Sequence, residues 1–263
     1  MRLYSKKSLG QNFLIDKNIL DFISEKVAIN KNDIIIEIGP GTGNLTKLLI
    51  TKNPKKFVVI EKDQELSKKL INELKDKVEV INNDFLNTKL NAYTKESLIV
   101  FGNLPYNVST QILIKLIKLN IKGFNFKKLI LMFQKEVADR IIANTNTKNY
   151  GRLAIISQWC MNIEKLKNVK PNSFFPIPKV ESTLLSFEPK KKYFILNNAK
   201  NLEHVTNIFF NLKRKMIKKP ISILFDDVDK ISKRLHLNLN ERPQNLSPNT
   251  FYKICHEYEK LLN

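Results

Sequence analysis

Sulfur, glycine and acidic side chains are all in short supply in this chain. Its two cysteines, Cys160 and Cys255, and three histidines, His204, His236 and His256, are scattered through 263 residues. None shows the spacing of a zinc site or a disulfide framework, which leaves metal-centred and thiol-based chemistry without candidate groups. So few cysteines fit a reducing compartment. Acidic residues number 25 against 45 Lys+Arg, leaving a formal net charge of +20. That excess goes beyond what solubility requires and points to a polyanionic partner. No apolar run approaches the roughly 18 residues of a membrane span. The opening MRLYSKKSLGQNFL lacks the apolar core of a secretory leader. The expectation is a soluble, cytoplasmic protein with no membrane partner.

What is present suffices for a substantial core: 43% of residues are hydrophobic and 9% aromatic. Residues 33–38 (DIIIEI) form a short apolar run, as in a strand covered on both faces. Runs at 57–61, 78–81, 98–102 and 129–133 predict four more strands, and 153–163 and 180–187 read as two others. Between them, 45–50, 64–75 and 134–143 read as helices. Strands alternating with helices predict βαβ units and a mostly parallel sheet. Glu188-Pro189-Lys190-Lys191-Lys192 marks a change of composition, beyond which strand patterns fade. The expected division is an α/β domain, 1–189, and a helical domain, 190–263. The latter holds 15 Lys+Arg against 7 Asp+Glu, the more positive part per residue.

Three of only seven glycines fall within five residues, in Glu37-Ile38-Gly39-Pro40-Gly41-Thr42-Gly43. Glycines let backbone pass close to a ligand, and the carboxyl end of the first strand of an α/β sheet is where nucleotides bind. The dinucleotide fingerprint G-x-G-x-x-G is not met, because Asn44 stands where the third glycine would be. The spacing E-x-G-x-G-x-G instead resembles the first motif of S-adenosylmethionine-dependent methyltransferases. Glu61 ends the second strand 20 residues after Gly41, where it can accept hydrogen bonds from both hydroxyls of a ribose. Asp84, after the third strand, is a candidate acceptor for an adenine amino group.

The fourth strand stops at Asn103-Leu104-Pro105-Tyr106. As local structure this is a strand-to-helix turn, with proline ending the strand and Ser109 or Thr110 capping the helix. Beside a methyl-donor site it also reads as chemistry. An adenine amino lone pair is delocalised into the ring and is a poor nucleophile. Asn103 Oδ1 and a nearby carbonyl, assigned to Leu104, would accept the two amino hydrogens and aim the lone pair at the methyl. Pro105 fixes the carbonyl direction through its locked φ. Tyr106 offers a face for an extruded base. The methylated amine is acidic enough to lose its proton to water, so no dedicated base is needed.

Together these stretches resemble the small-subunit rRNA adenine dimethyltransferases. The resemblance is carried by Leu9 to Leu14, Glu37 to Gly43, Val59-Ile60-Glu61, Asn83-Asp84, Phe101 to Thr110, Gln134 to Ile141, Tyr150 to Leu153 and Phe175 to Ser182. It implies a Rossmann-like methyltransferase fold, a mostly parallel seven-stranded sheet flanked by helices, with a smaller all-α C-terminal domain that binds rRNA. It further implies dimethylation of N6 of two adjacent adenosines in the 3′-terminal hairpin of 16S rRNA in the small ribosomal subunit. The donor would be S-adenosylmethionine, without a metal, and the enzyme a monomer with a role in late small-subunit biogenesis. Cofactor contacts fall on Asn12, Leu14, Gly39, Glu61, Asp84 and Asn103, joined by Gly41 of the glycine loop. Target-base contacts fall on Asn103, Leu104, Tyr106 and an aromatic of 173–176, here assigned to Phe174.

One stretch departs from the family. Phe210 to Pro220 keeps the charge of its basic helix, with Lys213, Arg214, Lys215, Lys218 and Lys219 as expected contacts to the rRNA backbone. Lysines replace two arginines, without the bidentate fork, and Pro220 should end the helix. Two other readings compete. The 23S rRNA adenine N6-methyltransferases of macrolide-resistance type share the glycine loop and N-[I/L]-P-Y, but 134–141 and 175–182 favour the small-subunit family. A non-enzymatic ribosome-assembly factor would have no need of an intact Asn103 to Tyr106. A dinucleotide-dependent dehydrogenase is disfavoured by Asn44.

Overall fold

The computed structural model describes Lys6 and residues 10–262; Leu9 of the N-terminal motif lies outside the described residues. The chain forms two compact units, one comprising residues up to 138 with 162–189, the other 139–161 with 190 onward. The second unit thus includes residues 139–161, which lie before the composition change at 188–192 and were expected in the α/β domain.

The first unit opens with a short strand, β1 (Phe13–Leu14), and helix α1 (Lys17–Glu25), whose N-cap Asp16 accepts the N–H groups of Asn18 and Ile19. Then come β2 (Asp33–Ile38), α2 (Asn44–Ile50), β3 (Lys56–Glu61), α3 (Gln64–Leu74), β4 (Glu79–Asn82), β5 (Ser97–Asn103), α4 (Ser109–Ile121) and β6 (Phe126–Gln134). After α5 (Lys135–Ile141) and α6 (Arg152–Cys160), the strands β7 (Met161–Val169), β8 (Phe174–Phe175) and β9 (Ser182–Pro189) complete it.

Seven strands form one sheet in the order β4-β3-β2-β5-β6-β9-β7. From β4 to β6 every pairing is parallel, and β9 runs antiparallel to β6. All six residues of β2 are buried, Asp33 and Glu37 included, which is why its other four positions are all isoleucine. The order reverses at β2, with β3 and β4 on one side and β5 and β6 on the other. Such a switch point opens a crevice at the carboxyl ends of the strands. Register then sets the site: Ile38 pairs with both Ile60 and Gly102, so Gly39, Glu61 and Asn103, each one residue further on, form a row across three strands. A separate ribbon pairs β1 with β8, Phe13 opposite Phe175 and Leu14 opposite Phe174.

Two local expectations are corrected. Residues 153–163 were expected as a strand, but α6 occupies most of that stretch and β7 begins only at Met161. Seven of the nine α6 residues are buried, so no polar face betrays a helical period. Neither Ser109 nor Thr110 caps α4; the N-cap is Val108, and the Ser109 hydroxyl donates to the Tyr106 carbonyl at 3.2 Å.

The second unit contains α6 with α7 (Ala199–Asn211), α8 (Lys218–Leu224), α9 (Val228–Leu235) and α10 (Pro248–Glu259). Aromatic side chains form its core, with Phe209 edge-on to Phe251 at 5.2 Å. Their polar tips are satisfied inside: Trp159 Nε1 donates to the Phe194 carbonyl at 2.7 Å and the Tyr252 hydroxyl to that of Ile155 at 2.9 Å. The expected basic helix through 210–220 is instead a helix end and a helix start. α7 stops at Asn211, and Pro220 sits in the first turn of α8, where no intrahelical N–H bond is lost.

The buried Glu259 carboxylate joins the end of α10 to the start of α7, accepting from Asn197 N–H (2.9 Å), Asn198 N–H (3.0 Å) and Asn201 Nδ2 (2.9 Å). Removing it strands three donors near a helix start. Glu259→Ala is expected to lower stability by about 2–3 kcal/mol, measured by urea unfolding followed through Trp159 fluorescence.

Candidate active site

A cavity opens at the carboxyl ends of β2, β3, β4 and β5, entirely within the first unit. The glycine loop forms its floor. Gly39 and Gly41 both adopt left-handed backbone, at φ +65° and +58°. A Cβ on Gly41 would lie 2.7 Å from Phe13 Cδ1, so that glycine is required by packing as well as by conformation. Around Gly39 a Cβ would meet nothing nearer than 4.0 Å, which leaves the backbone open to a ligand.

Glu61 lies at the centre of the row and is buried. One carboxylate oxygen accepts the Gly41 N–H at 3.1 Å and the other accepts the Asp63 N–H at 2.9 Å. Burial pushes its pKa up, and those main-chain bonds oppose the shift. Each oxygen retains acceptor capacity toward the cavity. Asp63 caps α3 through Glu65 and Leu66, and its other oxygen takes Gln11 Nε2 at 2.9 Å. This tie of the N-terminal segment to α3 had no signal in the local pattern, because 52 residues separate the partners.

Asp84 lies beyond the end of β4. Its Oδ1 accepts the Leu86 N–H at 2.8 Å, and its Oδ2 pairs with Lys62 Nζ at 2.9 Å. Burial would raise its pKa, but the Lys62 ammonium and the Leu86 N–H hold it below the ordinary carboxylate range. Asn103 donates through Nδ2 to the Asn12 carbonyl at 2.7 Å. That bond fixes the amide orientation and presents Oδ1 as an acceptor. Leu104 is buried, with its Cδ2 where a Cβ on Gly102 would stand, at 2.6 Å. The Pro105 carbonyl accepts the Val108 N–H at 3.1 Å. Tyr106, half-buried, shares a 2.8 Å hydrogen bond between its hydroxyl and that of Ser182 at the start of β9.

The cavity thus brings together Asn12, Leu14, Gly39, Gly41, Glu61, Asp84 and Asn103 with Leu104, Pro105 and Tyr106. Phe174 does not join them. It is 1% exposed and packs in the core with Leu14, whereas Phe175 is 46% exposed. Neighbouring residues of a strand point to opposite faces, so only one of the two rings can face solvent, and it is Phe175. In the second unit, Lys213 is only partly exposed and its ammonium turns back to the carbonyls of Lys148 (3.3 Å) and Tyr150 (3.4 Å). Arg214, Lys215, Lys218 and Lys219 are exposed.

Glu37 was legible only as the first letter of the glycine motif. It is buried at the cavity wall and accepts the Thr46 hydroxyl at 2.7 Å.

The mostly parallel, helix-flanked sheet, the glycine floor, a buried acid at the strand end and an oriented amide fit a Rossmann-like methyltransferase. Comparison with known proteins narrows the class. The family model described as ribosomal RNA adenine dimethylase matches residues 2–260. The Pelagibacter ubique (strain HTCC1062) protein named Ribosomal RNA small subunit methyltransferase A is 48% identical over 262 residues, covering 99% of each chain. Its namesake from Ehrlichia canis (strain Jake) is 39% identical over 97% of each. The crystal structure of a dimethyladenosine transferase from Plasmodium falciparum superposes with TM-score 0.80 at 30% identity, covering 94% of this chain and 98% of that one. The 23S rRNA methyltransferase ErmE shares the fold, with TM-score 0.68 at 20% identity over 94% of this chain and 99% of its own. The chain belongs to the ribosomal RNA adenine dimethylase family. It is an rRNA adenine N6-dimethyltransferase.

Desolvation, with the nearby Glu61 charge, pushes the Glu37 carboxyl up to about 7. A carboxyl raised above its unfolded value stabilises the fold most at low pH, and that contribution is lost as pH rises through about 7. Glu37→Gln removes the ionisation and keeps an acceptor for Thr46. Its melting temperature relative to wild type is therefore expected to be higher at pH 8 than at pH 5, measured by thermal melts at both pH values.

Proposed function

We propose that this enzyme takes methyl groups from S-adenosylmethionine and places them on N6 of two adjacent adenosines in the 3′-terminal hairpin of 16S rRNA. It would act on the small ribosomal subunit, in the cytoplasm, late in that subunit's assembly. It would act as a single chain, since every residue lining the cavity comes from one compact unit. The observation that carries the reading is the Asn103 amide, turned by the Asn12 carbonyl so that Oδ1 is the acceptor, in register with Gly39 and Glu61.

The residues fit the donor. Gly39 leaves room against the main chain, Glu61 offers two buried carboxylate oxygens to a ribose, and Asp84 offers an acceptor to an adenine amino group. When bound there, S-adenosylmethionine supplies a methyl group on a positively charged sulfur, a good leaving group. The protein's part is positioning. Asn103 Oδ1 and the Leu104 carbonyl accept the two N6 hydrogens of the target adenine and direct the nitrogen lone pair. Pro105 restricts the loop backbone, and its own carbonyl is engaged by Val108. The Tyr106 ring, steadied by Ser182, gives the base a stacking face, and the exposed Phe175 ring is the better candidate for a second. Held by Gly39, Glu61 and Asp84, the donor would supply its methyl group to N6 and keep the bonding pair on its sulfur, while Asn103 Oδ1 and the Leu104 carbonyl hold the nitrogen in place and the N6 proton passes to water. The second methyl would require fresh donor and a monomethylated N6, whose single remaining hydrogen can engage one of the two acceptors at a time.

The test is transfer of radiolabelled methyl to undermethylated small subunits, followed by digestion and separation of nucleosides. Label is expected in dimethyladenosine from 16S rRNA, and Asn103→Ala is expected to lower the rate by about 10²–10³-fold. Label only in 23S rRNA would reassign the substrate to that of the macrolide-resistance enzymes. Tight subunit binding with no transfer would make the protein an assembly factor.

Backbone contacts by Arg214, Lys215, Lys218 and Lys219 predict a steep salt dependence of subunit binding. Replacing Arg214 and Lys215 together by alanine is expected to reduce the slope of log affinity against log salt by about 1.5–2, read from filter binding across a salt series.

A further inference from the structure

The turn that follows β4 is built around a lysine for which the chemistry above has no use. Lys115 lies on α4, the helix that begins just after Tyr106. Its ammonium donates to the main-chain carbonyls of Phe85 at 2.6 Å, Leu86 at 3.0 Å and Thr88 at 2.6 Å. An ammonium has three donors, and here each has an acceptor. The same nitrogen stands 4.8 Å from the centroid of the Phe85 ring. From the other side, Asp84 closes the turn: its Oδ1 accepts the Leu86 N–H at 2.8 Å, and its carbonyl accepts the Asn87 and Thr88 N–H groups at 3.0 Å. Asp84 and Phe85 both line the cavity, and the Phe85 ring is buried.

An ammonium withdrawn from water in this way is expensive unless its partners are good. Burial pushes the Lys115 pKa down, and the Asp84 charge opposes the shift. A turn could be held by its own N–H···O bonds, as the Asp84 side already shows. The addition of a charged anchor from another element makes the conformation of residues 84–88 depend on where α4 sits.

We propose that Lys115 is a positioning residue for the purine end of the donor site, holding Asp84 and Phe85 so that the site distinguishes an adenine amino group from a purine carbonyl. This rests on the reading of the cavity as an S-adenosylmethionine site. An amino group donates to the Asp84 carboxylate, whereas a carbonyl oxygen at the same place is repelled by it. Discrimination therefore needs the carboxylate at a fixed position, and a turn released from Lys115 loses that definition. Because α4 also continues from the Asn103 to Tyr106 loop, one side chain ties the wall for the donor's purine to the element that follows the target-base loop.

The experiment compares the full-length wild type with Lys115→Met and Lys115→Gln, using isothermal titration with S-adenosylhomocysteine and with its inosine counterpart, S-inosylhomocysteine. Thermal melts accompany each variant. Wild type is expected to prefer the adenosine compound by about tenfold or more. Lys115→Met is expected to bind that compound about tenfold more weakly and to lose most of the preference. Lys115→Gln, which keeps two donors, should fall between. A lowered melting temperature with the preference intact would show a structural tie only and overturn the proposal. Should Lys115→Met give no cooperative melt, the preference measured in Lys115→Gln decides on the same terms. A wild type that binds neither compound would overturn the donor-site reading itself.

Discussion

The site depends on a buried carboxylate held by two main-chain N–H groups. Glu61 cannot be taken out of water as an anion without donors to replace it, and the donors come from two different turns, Gly41 after β2 and Asp63 before α3. Asp63 in turn caps α3 and receives Gln11. One charge therefore draws the glycine loop, a helix start and the N-terminal segment to the same place. The left-handed backbone at Gly41 and the Phe13 ring packed where its Cβ would be belong to the same constraint. What remains of the carboxylate's acceptor capacity faces the cavity, so the groups that make burial tolerable also leave the residue usable.

The chemical side of the site follows a related rule with a neutral group. An asparagine amide is nearly symmetric in shape but opposite in sign at its two ends, and its use depends on which end is committed. The Asn12 carbonyl can only accept, so it takes the Nδ2 end of Asn103. The N-terminal segment thus orients the amide from one side while Gln11 anchors the same segment to α3 from the other. No ionisable side chain is required for proton transfer. This accords with a reaction whose product proton is acidic and whose difficulty lies in placing a weak nucleophile in line.

The second unit works through different physics. Its core is aromatic, with the polar tips of Trp159 and Tyr252 satisfied by main-chain carbonyls inside it. Four of its exposed cations, Arg214, Lys215, Lys218 and Lys219, lie on the turn and helix start between α7 and α8. Lysine there neutralises phosphate without the directional fork of arginine. In the proposed reading such a surface would supply affinity for a folded RNA, and selection of the base would fall to the cavity of the first unit.

Much of the first unit was legible because strands buried on both faces print themselves as apolar runs, and β2, β3, β5 and β6 all stood near their expected positions. The glycine spacing and Asn103 to Tyr106 were legible because each is a contiguous stretch, and both stretches line the one cavity. Helix α6 was misread because it is apolar nearly all round, and its period vanishes when little of it is wet. Phe174 and Phe175 could not be told apart, since adjacent residues of one strand differ only in which face the rest of the protein covers. Residues 139–161 joined the second unit through packing that no local pattern records. The sequence by itself determined the βαβ order, the groups at the strand ends and the excess of positive charge. Only the tertiary structure decided which end of the Asn103 amide is offered, which aromatic ring is exposed and which lysine is turned inward. Those outcomes depend on partners tens of residues away, as Asn12 is from Asn103 and Phe85 from Lys115, and the chain's local pattern holds no information about them.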